Sequence, residues 1–134
     1  MAGLDTQEEI EHHLRHMDAH YVALVGNKVI GVIGWYQDTV HYADTAMGEK
    51  FPGQEAYWVG FFAVDKQYQG KGIGSALLQK LEEVMKLQHV STLWVSSVPE
   101  TRTYYENKGF TLILDGMIDG KQKHFLSKQL IYTH

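Results

Sequence analysis

Cysteine is absent from the 134 residues. That removes disulfides, thiolate metal ligands and a cysteine acyl-enzyme, and it fits a reducing, cytoplasmic setting. Basic charge is also scarce. Lys and Arg number 12 against 16 Asp and Glu, for a formal net charge of −4. A nucleic-acid surface shows as a basic patch or stripe, so no nucleic-acid partner is expected. No apolar stretch approaches the ~20 residues that cross a bilayer, so no membrane partner is expected either. Met1 to Glu9 lacks a basic segment followed by an apolar block, and a secretory signal is not expected.

Aromatic residues, by contrast, are plentiful: three Trp, eight Tyr and five Phe. They can fill a core or wall a pocket, and Tyr36, Tyr42, Tyr57 and Trp58 are candidates for either role. The length fits a single domain over 1–134, with no linker, repeat or low-complexity segment. Ile10, Leu14, Met17 and Tyr21 recur at helical spacing and predict a helix from Asp5 to Tyr21, with Thr6 and Glu9 as a capping box. Tyr21–Val25 and Lys28–Gln37 flank the turn signal Gly26-Asn27 and predict a hairpin. Asp38 to Gly53 reads as a long loop with at most one helical turn. Glu55–Val64 predicts a strand, and Gly72–Leu87 a helix with Ile73, Leu77, Leu81 and Val84 inward. Ser91–Ser97 follows as a strand, Glu100–Lys108 as a short helix, and Phe110–Leu114 with Lys123–Tyr132 as a hairpin around Asp119-Gly120. The order α-β-β-β-α-β-α-β-β is that of an α+β, or α/β, domain with a mixed sheet.

The most informative segment is Gln69-Gly-Lys-Gly72-Ile-Gly74-Ser75. A strand enters it and a long amphipathic helix leaves it. The first N–H groups of a helix lack partners and carry partial positive charge, which makes an anion site. Gly70, Gly72 and Gly74 let backbone approach phosphate oxygens closely, and Lys71 can add a direct charge. A P-loop would need Lys-Ser/Thr after its second glycine, and Ile73-Gly74 stands there. A dinucleotide fingerprint would need Gly or Ala where Ser75 stands, and an acidic residue about twenty positions on, near Ser96-Ser97.

The pattern that fits is Gln/Arg-x-x-Gly-x-Gly/Ala, and here the chain resembles the GNAT-type N-acetyltransferase superfamily. Phe62-Ala63-Val64, just upstream, is similar to that family's coenzyme-binding strand end. Tyr104-Tyr-Glu-Asn-Lys-Gly109-Phe110 is similar to its second signature. The resemblance covers Tyr57 to Phe110, and it implies a GNAT-like mixed, mostly antiparallel sheet flanked by helices. It implies acetyl-CoA as cofactor, bound by Phe62, Ala63 and Val64 along a splayed strand and by Gln69, Gly70, Lys71, Gly72, Ile73, Gly74 and Ser75 around the pyrophosphate. A backbone N–H near Phe62 would polarise the thioester carbonyl. It implies Tyr105 as the catalytic proton donor to the departing thiolate. A phenol, with a pKa of about 10, is protonated at neutral pH. Of the adjacent pair Tyr104 and Tyr105, one packs and one faces the site, and the spacing to Gly109 favours Tyr105. The acceptor implied is an amine on a small molecule or peptide, attacking directly in a ternary complex.

The chain also departs from the family. Trp58 and Ser96 stand where a catalytic glutamate is common, and neither is an ordinary base. Glu55, His41 or a water chain remain as alternatives for that role. These departures keep a second reading open, a non-catalytic acyl-CoA-binding sensor or regulatory module. No strand precedes Asp5, although the family usually opens with one. His12, His16 and His20 form a stripe on the first helix. His13 and His16 have metal-compatible spacing, but no carboxylate set joins them, and no metal is expected. An exposed edge at the C-terminal hairpin would permit a homodimer.

Overall fold

Tyr21, placed on a helix by its spacing, lies in a strand. In the computed structural model, which describes residues 19–37 and 43–130, strand β1 spans Ala19–Val25 and pairs antiparallel with β2, Lys28–Gln37. The expected helix over 5–21 therefore does not take in positions 19–21, which are strand. Tyr21 instead stacks on Trp35 across the ladder, with ring centroids 5.5 Å apart. Cross-strand aromatic packing outweighs the helical spacing here. The remainder of that helix, with His12, His13 and His16, lies outside the described residues, as do Asp38, His41 and Tyr42.

Six strands form one sheet in the order β1-β2-β3-β4-β6-β5. Strand β3 is Tyr57–Val64, β4 is Thr92–Ser97, β5 is Thr111–Ile118 and β6 is Lys121–Gln129. All neighbours are antiparallel except β3 and β4. The closing hairpin turns at Asp119-Gly120, and both residues have positive φ, 51° and 78°. That is the geometry an Asp-Gly pair supplies in a two-residue hairpin turn.

Helix α2, Ile73–Leu87, lies on one face of the sheet and buries Leu77, Leu78, Leu81 and Met85 against Ile33, Val59, Val64 and Leu93. Leu77 and Leu81 were expected there. Leu78 and Met85 complete the stripe, while Ile73 and Val84 are only partly buried. The opposite face is built on Trp58 and Phe125, both 0% exposed, with Met47 of the short helix α1, Asp44–Met47, and Ala43 just before it. This is the single helical turn allowed for in the long loop. Gly116 is what lets α1 sit close: a Cβ there would lie 2.9 Å from the Phe125 ring and 3.1 Å from the Ala46 carbonyl oxygen. Helix α3, Arg102–Asn107, follows a 3-10 turn at Pro99–Thr101 and carries both signature tyrosines.

The feature that positions the site is the junction of β3 and β4. They are parallel and pair only at Tyr57 with Leu93 and Trp58 with Trp94. Beyond Trp58 the two strands separate. Strand β3 also bulges: Ile33 and Trp35 of β2 face Phe62 and Val59, so Gly60 and Phe61 oppose Gly34 alone. A bulge adds twist and bends its strand, which here accompanies the separation from β4.

Candidate active site

The gap between β3 and β4 leaves Val59–Val64 without ladder partners on its β4 side. Backbone donors and acceptors along that edge need partners from elsewhere. At the far end of β3 the chain enters the glycine loop. Asp65 caps the first turn by accepting from Gln67 N–H at 3.0 Å, and Gln69 Nε2 donates back to the Val64 carbonyl at 2.9 Å. Gln69 therefore holds the loop against the strand end. Gly70 and Gly72 have φ of 80° and 82°, a left-handed conformation that side chains rarely adopt. Gly72 is the N-cap of α2, with no side-chain cap, and the first closed helical bond runs from Ala76 N–H to the Gly72 carbonyl. The N–H groups of Ile73, Gly74 and Ser75 precede that bond and lack partners by helix geometry.

A pocket of about 130 Å³ lies over this helix start, lined by Tyr68, Gly70, Gly72, Ile73, Gly74, Ser75 and Tyr104. Of the residues expected around the pyrophosphate, Gly70 and the run Gly72–Ser75 meet in one place. Lys71 is not in that lining but has its ammonium 5.6 Å from the Tyr68 ring, and Phe62, Ala63 and Val64 lie along the gap. Sequence reasoning did not pick out Tyr68 or assign Tyr104 to the loop. The available signal was the pairing of aromatics with the glycine run, which does not fix a side-chain direction.

The two signature tyrosines divide the space. Tyr104 faces the glycine loop. Its hydroxyl is buried beside Ser75 Oγ, which also accepts from Lys108 Nζ at 2.6 Å. Tyr105 is buried against Phe62 of the gap strand, with ring centroids 6.4 Å apart, and edge-on to Tyr104 and Phe110. Burial raises the Tyr105 pKa well above the ordinary phenol value of 10.0, and the neighbouring Tyr104 adds to the shift. Tyr105 thus stays protonated wherever the fold survives. The stabilisation is complete below the ordinary value of 10.0 and is lost as pH rises above it. Tyr105→Phe is expected to flatten the alkaline limb of a Tm-against-pH curve, while an unchanged limb would assign it to other groups.

The base candidates part company. Trp58 is fully buried between Tyr36, Trp94 and Phe125. Of the four aromatics considered for a pocket wall, it is packed core. Glu55 is exposed and lines a different concavity, with Tyr57, Trp94, Gln88 and His89. It lies in a turn before β3, on the other side of the paired residues Tyr57 and Trp58 from Phe62. Glu55 is therefore outside the gap. His124 is a buried residue that sequence reasoning missed. Its Nδ1 makes a short contact with the Asp115 carboxylate, opposite Ser97 in the β4–β6 ladder. Strand β4 stands between it and the gap. Among the described residues no three His, Asp or Glu side chains cluster as metal ligands, and no helix is long and apolar enough to cross a membrane.

A mixed sheet split at one parallel pair, with a glycine loop opening a helix beside the split, is the architecture of coenzyme A-dependent acyltransferases. The model of the acetyltransferase (GNAT) family matches residues 2–110, and the chain belongs to that family. Solved structures agree in fold. A GNAT family acetyltransferase from Elizabethkingia anophelis with acetyl-CoA bound is 18% identical, with a TM-score of 0.65 over 92% of this chain and 83% of that one. An aminoglycoside 6′-N-acetyltransferase complexed with coenzyme A is 14% identical, with a TM-score of 0.69 over 95% and 81%. An IAA acetyltransferase from Bacillus cereus ATCC 14579 is 21% identical, with a TM-score of 0.65 over 92% and 85%. No curated protein matches the chain significantly.

Proposed function

We propose that this acetyltransferase moves the acetyl group of acetyl-CoA to a primary amine of a small molecule or peptide, by direct attack within a ternary complex. Acetyl-CoA is the cosubstrate of the family, and two of its solved relatives hold acetyl-CoA or coenzyme A. The observation that carries the reading is the two-residue β3–β4 ladder opening into a gap whose upper end meets the α2 N-terminus. An extended arm can complete the β3 edge there, and a diphosphate fits the unpartnered N–H groups of 73–75.

The thioester supplies an acyl carbon ready for attack. The amine nitrogen forms a bond to that carbon, and the carbon–sulfur bond breaks. In this reading a backbone N–H near Phe62 stabilises the oxyanion, and the Tyr105 hydroxyl donates to the sulfur as it leaves. Its raised pKa makes Tyr105 a hydrogen-bond donor rather than a strong acid. With Trp58 packed and Glu55 outside the gap, the amine proton leaves through water or through His41.

The second reading, an acyl-CoA-binding module without turnover, is favoured by Trp58 and Ser96 at positions where a carboxylate would serve. Thermal-shift titration separates the foundations. A ligand at about 100 times its Kd adds about 2.7 kcal/mol, which is several degrees in Tm. Acetyl-CoA and free coenzyme A are each expected to shift Tm while NAD and ATP do not. No shift with either coenzyme would sink both readings. A shift with no acetylated product from a broad amine panel would favour the module.

A further inference from the structure

Three neighbouring observations concern a side chain with no part in the reaction derived above. Lys108 follows the last residue of α3, and its ammonium reaches across to α2, donating to Ser75 Oγ at 2.6 Å with the Tyr104 ring 5.5 Å away. No carboxylate of the described residues forms an ion pair with it. A partly buried ammonium held only by a hydroxyl and a ring face is an uncompensated charge. Tyr104 Oη, of the same pocket lining, is buried with Ser75 Oγ as its polar neighbour. One group comes from α3 and the other from the residue that caps it, and both meet Ser75 in the first turn of α2.

The carbonyl of Lys108 is fixed independently. Lys128 Nζ donates to it at 2.8 Å and forms an ion pair with Glu82 of α2 at 2.8 Å. The backbone of this segment is thereby pinned to α2, so the Lys108 side chain is not needed to dock α3. It is free to answer to a ligand.

Resting on the coenzyme reading above, we propose that Lys108 is a specificity residue for the diphosphate of coenzyme A. Its ammonium exchanges Ser75 Oγ for a phosphate oxygen, and Tyr104 Oη donates beside it. The glycine loop then grips the anion from the α2 side and Lys108 from the α3 side.

The test compares affinity for acetyl-CoA with affinity for S-acetylpantetheine, a thioester arm that carries no phosphate. Lys108→Gln should weaken acetyl-CoA binding about tenfold or more, as expected for a charge-assisted contact, and should flatten its salt dependence. It should leave S-acetylpantetheine within about twofold. Lys108→Arg should retain most of the affinity, because the charge is kept. Tyr104→Phe should weaken acetyl-CoA several-fold with little change in Tm, because the ring contacts with Phe62 and Tyr105 are kept. Equal losses for both thioesters, or no loss with acetyl-CoA, would overturn the assignment while leaving the coenzyme reading intact. Wild-type protein that binds neither thioester would overturn both.

Discussion

Tyr105→Phe is expected to lower kcat about a hundredfold while leaving the Kd for acetyl-CoA within about twofold, the range for loss of one positioned proton donor. Phenylalanine preserves the ring contacts with Phe62, Tyr104 and Phe110, so the packing of α3 is kept. What disappears is the hydroxyl alone. Single-turnover measurement of product and calorimetric measurement of binding resolve the two effects. If kcat is unchanged, Tyr105 is a core aromatic and the thiolate leaves without help from α3. If Kd rises in step with the loss of kcat, the residue acts through the shape of the gap.

Trp58→Glu is expected to unfold the domain. The family often carries a carboxylate near this position, so the substitution would seem to restore a base. The geometry argues otherwise. Trp58 is 0% exposed and packs on Tyr36, Trp94 and Phe125. Removing a buried Trp costs about 3–5 kcal/mol, and an unpaired carboxyl in its place adds further cost. The sum is comparable to the whole stability of a domain of this size. Loss of the cooperative melting transition is the expected result. A folded and faster Trp58→Glu enzyme would show that the position opens to the reacting centre.

The helix, strand and turn pattern of 55–110 was legible because each element there is locally consistent. The α2 stripe, the Glu55–Val64 run and the glycine loop obey one period or one turn chemistry each. Tyr21 misled because a strand residue happened to sit at the next helical position, and only its pairing with β2 decides the matter. The spacing to Gly109 favours Tyr105 for the site, but it does not show that Tyr104 lines the glycine-loop pocket. Adjacent residues differ in direction, but which one meets the loop depends on the angle of α3. Lys108 reaches Ser75 across 33 positions of sequence, and no local pattern announces such a contact. The exclusion of Glu55 likewise needed the ladder, since β3 is paired at one end and open at the other.

Two matched residues are a thin seam between β1-β2-β3 on one side and β4-β6-β5 on the other. Each half draws its strands from its own stretch of chain, and α2 packs mainly on the first half. The sheet's hydrogen bonds alone would let the halves exchange amide protons as separate units. A ligand strand laid into the gap completes the missing rungs. Cooperativity across the whole sheet is then a property of the complex, and amide protection along 59–64 and 95–97 should rise together on loading.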